Sequence, residues 1–319
     1  MLLAMNPWRS DDMAGAADSR GRFWGSLWRF RHFYLFISPF FFLFAVFGLY
    51  PLLFSLYLSF VKWDGLTAPV SVGIENFITL FSDEMFYTAL WNTLVIGLIY
   101  VPPMFVLAFL FASILNSKQL RLRGIFRAGV FMPCITPMVV VAIVFSLLYS
   151  AESGLFNYLL RGVTRLLPGG PVDPIPWLES EAWSKLSVSI LLVWRWTGYN
   201  MILMLAGLQG ISGEYYEAAI IDGATRWQRM RHITLPLMRP TLVFCGIMSL
   251  IGTVYMFDEV FVLTQGGPGT SSTNFGLYLF NLAFMDFRFG FASSAAYTVA
   301  IAVFVVSLAV LKWRKPVVD

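Results

Sequence analysis

Six long apolar runs, each free or almost free of charge, limit what this chain can fold into. Each run has at least 23 residues, and an α-helix needs about 20 to cross the hydrocarbon core of a bilayer. Only 13% of all residues are charged, whereas about 25% is usual in soluble domains. The sequence therefore predicts an all-α membrane protein with six transmembrane helices. The predicted spans are residues 33–61, 86–117, 128–151, 186–212, 240–264 and 289–311.

Lysine and arginine are distributed unequally between the two sides of this six-span arrangement. Sixteen of them fall in the tail 1–32, the connections after the second and fourth spans, and the tail 312–319, whereas five fall on the other side. Positive charge is enriched in cytoplasmic loops. This asymmetry places both termini, and the connection 213–239, in the cytoplasm. The net charge of +4 is thus a signal of membrane topology and not of nucleic-acid binding.

The N-terminal tail ends in an aromatic and basic segment. Phe23, Trp24, Leu27 and Trp28 fall on one helical face, and arginines surround that face. This pattern predicts an amphipathic elbow helix that lies at the cytoplasmic interface of the membrane. The alternative is that these aromatic side chains simply anchor the first span at the headgroup level.

The connection 213–239 carries an ordered motif. Glu217-Ala218-Ala219 is followed by Gly223 and then by Ile233-Thr234-Leu235-Pro236. Glutamate and alanine favour helix, glycine permits a turn, and proline is expected to stop or kink the chain before the next span. The spacing resembles the cytoplasmic EAA loop of ABC-importer permeases, in which a helix, a glycine turn and a second helix dock on an ATPase subunit. The resemblance implies a coupling role for Glu217, Ala218, Ala219, Asp222, Gly223, Ile233, Leu235 and Pro236.

A second motif narrows the resemblance to carbohydrate importers of the maltose type. The run Leu263-Thr264-Gln265-Gly266-Gly267-Pro268 follows the fifth predicted span and is similar to a run at that position in the family. The resemblance implies the type I ABC importer permease fold and a place in a bacterial or archaeal plasma membrane. The implied partners are a second homologous permease, two ATPase subunits, an extracytoplasmic solute-binding protein and a sugar-like solute.

Three charged residues lie inside predicted spans, where charge is costly and marks functional candidates. Arg195 is in the fourth span, and Asp258 and Glu259 are in the fifth. Their depths differ by roughly 6 to 7 Å at 1.5 Å per residue, and an arginine side chain can cover that distance. Arg195 is therefore expected either to pair with one of the acids or to contact solute.

The resemblance also implies a substrate path on the two spans that flank the EAA loop. In this chain the matching positions are Arg195, Trp196, Tyr199, Ser249, Thr253 and Met256. Gly252 and Met256 stand where larger or amide side chains would suit a sugar, so the solute is not identified. Packing between helices is the alternative role for each of these residues.

The sequence offers no catalytic set. No Gly-Lys pair occurs, so there is no Walker A loop, and the two histidines, His32 and His232, lie outside the predicted spans. We therefore expect no metal site, no cofactor bound by this chain, and ATP and Mg on partner ATPase subunits. The alternative classes are a secondary transporter of a small polar solute, which would need coupling-ion carboxylates, and an intramembrane enzyme, for which nucleophile and base are lacking.

Overall fold

The structure is a computed structural model that describes residues 30–117, 120–166, 170 and 172–312. The predicted elbow helix at Phe23–Trp28 and most of the C-terminal tail lie outside the described residues. The chain divides into two units, residues 1–57 and 58–319, which are described separately.

In the first unit the described residues form one long apolar helix. Helix α1 (Arg31–Phe44) continues through a π-helical turn (Ala45–Leu49) into α2 (Tyr50–Leu58). The whole stretch has a mean hydropathy of 2.1, and almost none of it is buried. Side chains such as Phe36 and Phe47 are 83% and 76% exposed. Such a surface suits contact with lipid tails, which solvate apolar side chains that water would not.

The second unit opens with a small hairpin. Strand β1 (Val61–Lys62) pairs antiparallel with β2 (Val70–Ser71), with Val61 opposite Ser71. The connecting loop is held by Asp64, whose Oδ1 accepts hydrogen bonds from the backbone N–H groups of Thr67 and Leu66 and from the Thr67 hydroxyl. These donors stabilise the charged carboxylate and lower the pKa of Asp64 to about 2.

Two long helices form the centre of this unit. A short helix α3 (Glu75–Leu80) precedes α4 (Glu84–Asn116), which begins where the Asp83 carboxylate accepts a hydrogen bond from the N–H of Met85 at 2.8 Å. Pro102 and Pro103 lie inside α4 without ending it. Later in the chain a second long helix packs along α4, and small residues such as Ala108 and Ala112 are fully buried in the core between them.

The predicted span 128–151 is divided in the structure. Helix α5 (Arg123–Ile135) and helix α6 (Met138–Leu148) meet at an angle of 93°. The cause is Pro137, because a residue before proline is driven out of the helical region. Thr136 is accordingly extended, with ψ of 135°. The stretch 128–151 therefore contains two helices joined at a sharp bend, and not one straight helix.

After the short helix α7 (Leu155–Thr164), helix α8 (Glu181–Gln209) runs the length of the unit against α4 and α5. The connection that carries the EAA motif follows, with α9 (Gly213–Ile221), α10 (Arg226–Arg229) and a π-helical stretch (Met230–Thr234) that leads directly into α11 (Leu235–Val254). The predicted stop at Pro236 is wrong, because Arg226–Val254 passes as one long helix, with the π-helical stretch just before the proline.

The predicted span 240–264 is also interrupted. Helix α11 ends at Val254, and α12 (Asp258–Leu263) begins after a break. At the break the Asn274 side-chain amide donates a hydrogen bond to the carbonyl of Met256. Gly276 lies so close that a Cβ there would sit 2.2 Å from the same carbonyl oxygen. The break is therefore fixed by the packed residues that follow it in sequence.

The loop after α12, which contains the Leu263–Pro268 run, is tied to α4. The Asn92 amide on α4 donates hydrogen bonds to the carbonyls of Thr270 and Thr273, both at 2.9 Å. The chain then forms α13 (Phe275–Phe280), a π-helical turn (Asn281–Met285) and α14 (Phe289–Lys312).

The described residues contain five helices that are long and apolar enough to cross a membrane, and six when the bent pair α5–α6 is included as one span. The five are Arg31–Leu58, Glu84–Asn116, Glu181–Gln209, Arg226–Val254 and Phe289–Lys312.

The contact between α5 and α8 generates a first prediction. A Cβ at Gly198 on α8 would lie 2.1 Å from the carbonyl oxygen of Val130 and 2.8 Å from the Cα of Phe131. Because both are backbone atoms, Gly198→Ala should push the helices apart and destabilise the protein by about 1–3 kcal/mol or more.

The measurement is the apparent melting temperature of the purified protein. Gly246→Ala on α11 is the matched control, since a Cβ there meets nothing within 4 Å among the described residues. Equal melting temperatures for the two variants would contradict the packing described.

Candidate functional site

A cavity of about 490 Å³ lies between α4, α8 and the break that follows α11. Pockets for small molecules are usually about 300–1,000 Å³. The lining residues come from three stretches of chain and combine aromatic, amide, hydroxyl and charged groups. They are Tyr100, Met104, Leu192, Arg195, Trp196, Tyr199, Asn200, Met248, Ser249, Ile251, Gly252, Tyr255, Met256, Phe257, Asp258 and Glu259.

Helical spacing explains how α8 and α11 present these groups. Residues three or four apart share one helix face, so Arg195, Trp196, Tyr199 and Asn200 line the cavity together. On α11, Gly252 opens the space, because a Cβ there would meet nothing within 4 Å among the described residues. The break after α11 then turns Asp258 and Glu259 into the wall.

Arg195 forms an ion pair inside this membrane domain. Its Nε lies 3.7 Å from Oε1 of Glu259, and the two side chains are only 13% and 8% exposed. The Trp196 indole N–H also donates a hydrogen bond to Glu259 Oε1, at 3.4 Å. Of the two acids expected as partners of Arg195, Glu259 is therefore the one that pairs with it. Asp258 also lines the cavity but makes no ion pair with the described residues.

The bend between α5 and α6 supplies a further partner to Arg195. Its Nη1 donates a hydrogen bond to the carbonyl oxygen of Thr136 at 3.4 Å and lies 3.0 Å from the sulfur of Met138. In addition, the guanidinium carbon is 5.6 Å from the centre of the Trp196 ring, within the range of a cation–π contact. Arg195 is therefore held by groups from α6, α8 and α12 and from the bend between α5 and α6.

Thr253 lies behind the cavity wall. It is buried, and its hydroxyl donates a hydrogen bond to the carbonyl of Ser249 at 2.6 Å. The hydroxyl of Tyr100 lies 2.6 Å from Thr253 Oγ1. Because the single proton of Thr253 is already engaged, Tyr100 must be the donor in this pair. Through this hydrogen bond, Thr253 orients the side chain of Tyr100.

The structure therefore brings most of the predicted path residues into one cavity. Arg195, Trp196, Tyr199, Ser249 and Met256 line it together with both acids, whereas Thr253 does not. Sequence reasoning missed several lining residues. Asn200 could have been found from its spacing of four from Trp196, but no sequence signal shows that Tyr100 and Met104 of α4 face α11.

The EAA segment forms a separate feature outside the long apolar helices. The Ser212 hydroxyl caps α9, and α10 begins with a capping box between Thr225 and Gln228. Between them Gly223 has φ of +77°, a conformation that other residues rarely adopt. The segment thus contains a helix, a glycine turn and a second helix.

The predicted coupling residues follow this outline. Glu217, Ala218 and Ala219 lie in α9, and Asp222 follows its last residue, Ile221. Ile233 is in the π-helical stretch, and Leu235 and Pro236 open α11. The surface here exposes large apolar side chains, with Ile221 and Trp227 86% and 70% exposed.

No group of three or more His, Cys, Asp or Glu side chains in the described part of the chain is arranged to hold a metal ion.

Comparison with known proteins gives consistent matches over most of the chain. The model of the family described as "binding-protein-dependent transport system inner membrane component" matches residues 105–313. The chain is 39% identical to the lactose transport system permease protein LacF of Rhizobium radiobacter, over 86% of this chain and 91% of that one. It is 36% identical to the arabinooligosaccharides transport system permease protein AraP of Bacillus subtilis (strain 168), over 88% and 87%.

Two solved structures share the fold. A crystal structure of a bacterial ABC transporter involved in the import of the acidic polysaccharide alginate aligns with a TM-score of 0.76 and 24% identity, covering 91% of this chain and 97% of that one. A crystal structure of a bacterial alginate ABC transporter in complex with an alginate pentasaccharide-bound periplasmic protein aligns with a TM-score of 0.75 and 25% identity, covering 91% and 96%. With the family match and the curated relatives, these alignments lead to one conclusion: the chain belongs to the binding-protein-dependent transport system inner membrane components, the permease subunits of ABC importers.

Proposed function

We propose that this chain forms half of the translocation path of an ATP-driven importer for a sugar or sugar-like solute. The observation that carries the proposal is the polar cavity between α4, α8 and the break after α11. Indole and phenol rings suit the apolar faces of sugars, and the neighbouring hydroxyl, amide and carboxylate groups suit their hydroxyls. The names of the relatives LacF and AraP refer to lactose and arabinooligosaccharides, which supports the sugar class.

The working assembly contains this chain, a second homologous permease, two ATPase subunits and an extracytoplasmic solute-binding protein. One of the two similar alginate transporters was crystallised in complex with a periplasmic protein that holds an alginate pentasaccharide, which supports the last of these partners. Both termini and the EAA segment lie in the cytoplasm of a bacterial or archaeal cell, as the distribution of positive charge indicates. ATP and Mg bind to the ATPase subunits, and this chain binds no cofactor.

The chain catalyses no covalent chemistry, and its task is alternating access to the cavity. The exposed apolar surface around Ile221 and Trp227 is the contact for an ATPase subunit. Helix α11 continues from the EAA segment and carries Ser249 and Gly252 to the cavity wall. Closure of the ATPases therefore moves the cavity wall through a rigid helix and opens the path to one side at a time.

Direct uptake measurement tests the proposed function. Proteoliposomes should hold the assembled complex, with ATP on the ATPase side and binding protein on the other. We expect uptake of at least one labelled sugar among lactose, maltose, trehalose and arabinotriose. Vanadate should block this uptake, and ionophores that collapse proton and sodium gradients should not. Uptake that survives vanadate and falls with ionophores would identify a secondary transporter instead.

Gly252→Leu tests whether the cavity is the path. The new side chain enters open space, so the complex should assemble normally while uptake falls by an order of magnitude or more. Gly246→Leu is the matched control, because it lies on the same helix, a Cβ there likewise meets nothing within 4 Å among the described residues, and it does not line the cavity. Uptake is measured against the amount of assembled complex. Equal uptake by the two variants would rule out this cavity as the route.

Gly223→Pro tests the coupling segment. Proline cannot adopt the positive φ at this turn, so the contact surface on both flanking helices should be displaced. We expect normal membrane insertion, because the segment lies outside the long apolar helices, together with loss of uptake. The readouts are co-purification of the ATPase subunits and their ATP hydrolysis. Parental uptake by an intact complex would show that this segment does not couple.

Arg195→Met tests the ion pair against a role in solute binding. Loss of the guanidinium leaves Glu259 buried without its cation, which typically costs about 3–5 kcal/mol. The yield of folded complex should fall, and adding Glu259→Gln should restore it. Asp258→Asn should not restore it, because Asp258 does not pair with Arg195. Normal yield of Arg195→Met, with raised KM for the imported sugar, would instead assign Arg195 to solute contact alone.

A further inference from the structure

The charges around the cavity do not cancel. Arg195 contributes the single cation among its lining residues, and Glu259 is its partner at 3.7 Å. Glu259 Oε1 also accepts the hydrogen bond from Trp196. Asp258 is exposed to the cavity, and its carboxylate has neither a hydrogen bond nor an ion pair to the described residues. One negative charge is therefore left over.

Tyr100 and Asn200 of the buried wall already use hydrogen-bond donors on protein groups, whereas each has an acceptor that is not used. Among the donors of the wall, Arg195 Nε has no hydrogen-bond partner in the described residues and faces Glu259 Oε1 at 3.7 Å. Tyr100 uses its proton on Thr253, so its oxygen offers only lone pairs. The Asn200 amide nitrogen donates to the carbonyl of Trp196 at 3.2 Å. That bond distinguishes the side-chain nitrogen of Asn200 from its oxygen, because the Trp196 carbonyl can only accept a hydrogen bond.

Asn200 supplies a second and independent observation. It lines the cavity and is only 3% exposed, yet its Oδ1 has no hydrogen-bond partner among the described residues. Buried acceptors are normally satisfied, and each exception in a native structure needs an explanation. A solute hydroxyl in the cavity is a donor of the kind that this oxygen lacks.

From this inventory we propose that the cavity selects hydroxyl-rich solutes that are neutral or positively charged, and that it excludes anionic sugars. The carboxylate of Asp258 makes the net charge of the cavity negative, and Asn200 and Tyr100 accept hydrogen bonds from solute hydroxyls. The inference rests on the proposed function and deepens it. It separates this chain from the alginate transporter of similar fold, whose substrate is an acidic polysaccharide.

The solute class follows from elementary chemistry. A sugar hydroxyl can donate to an unpaired oxygen, and an ammonium group can do so three times. A sugar carboxylate has no proton to donate at neutral pH, and its charge is repelled by Asp258. The hydroxyls of Ser249 and Tyr199 can act as donor or acceptor and do not reverse this preference.

The rates at which a cationic and an anionic thiol reagent modify a cysteine in the cavity wall report the sign of the electrostatic potential there. This measurement does not require that the solute be known. The two native thiols are removed as Cys134→Ala and Cys245→Ala, and Ser249→Cys places one thiol in the wall. The assembled complex is then treated with the trimethylammonium-ethyl and the sulfonato-ethyl methanethiosulfonates. The rate of each reaction is divided by its rate with free 2-mercaptoethanol, which removes the intrinsic difference between the reagents.

We expect the cationic reagent to be favoured by roughly tenfold or more, since a unit charge acts strongly over such short distances in a protein interior. Adding Asp258→Asn should bring the normalised ratio close to one, and Asp258→Glu should keep it. Asp286→Asn removes an exposed carboxylate outside the cavity and should leave the ratio unchanged. A ratio of one or below in the parent, or a ratio unaffected by Asp258→Asn, would overturn the proposal.

Two further outcomes separate this inference from the proposed function. Import of trigalacturonate in the proteoliposome assay would overturn the charge preference while leaving the importer function intact. Failure of both reagents to modify the Ser249→Cys thiol would contradict an aqueous path at this cavity, and with it the site on which both proposals depend.

Discussion

The guanidinium group of Arg195 lies inside a membrane domain, where it requires a counter-charge and hydrogen-bond acceptors from the groups around it. Burying an ion without a partner is far more costly than burying a matched and hydrogen-bonded pair. Here the partners of Arg195 are Glu259 and the carbonyl of Thr136. The Thr136 carbonyl would not be available from an uninterrupted helix, because a regular helix uses its carbonyls internally. The interruption after α5 supplies one partner of Arg195, and the helix that begins after the second interruption, α12, carries the other.

These interruptions also create the cavity. Irregular backbone is tolerated at membrane depth where it is enclosed by protein or lines a polar space. At the second break the backbone is held by Asn274 and by the close approach of Gly276, so its shape does not depend on a bound solute. Such a preorganised wall lets the aromatic and acidic groups face the path without further ordering on binding.

The same helices connect the cavity to the coupling segment. Helix α8 ends shortly before α9 begins, and α11 continues from the π-helical stretch that follows α10. In the proposed function, a displacement at Gly223 is passed along two rigid helices to Arg195 at one wall and to Ser249 at the other. Coupling and solute contact are thus placed on the two ends of continuous elements, which joins ATP hydrolysis to alternating access.

The membrane class, the apolar segments and the EAA motif could all be predicted from the sequence, because length, hydropathy and local spacing act within one segment. Arg195, Trp196, Tyr199 and Ser249 could also be named as candidates, since the resemblance to maltose-type permeases implies a substrate path on the spans that flank the EAA loop. The break at Met256, the choice of Glu259 over Asp258, and the contribution of Tyr100 and Asn200 could not. Tertiary packing decided them, because a helix break, an ion pair and an unpaired acceptor depend on which neighbours from distant segments are packed against them.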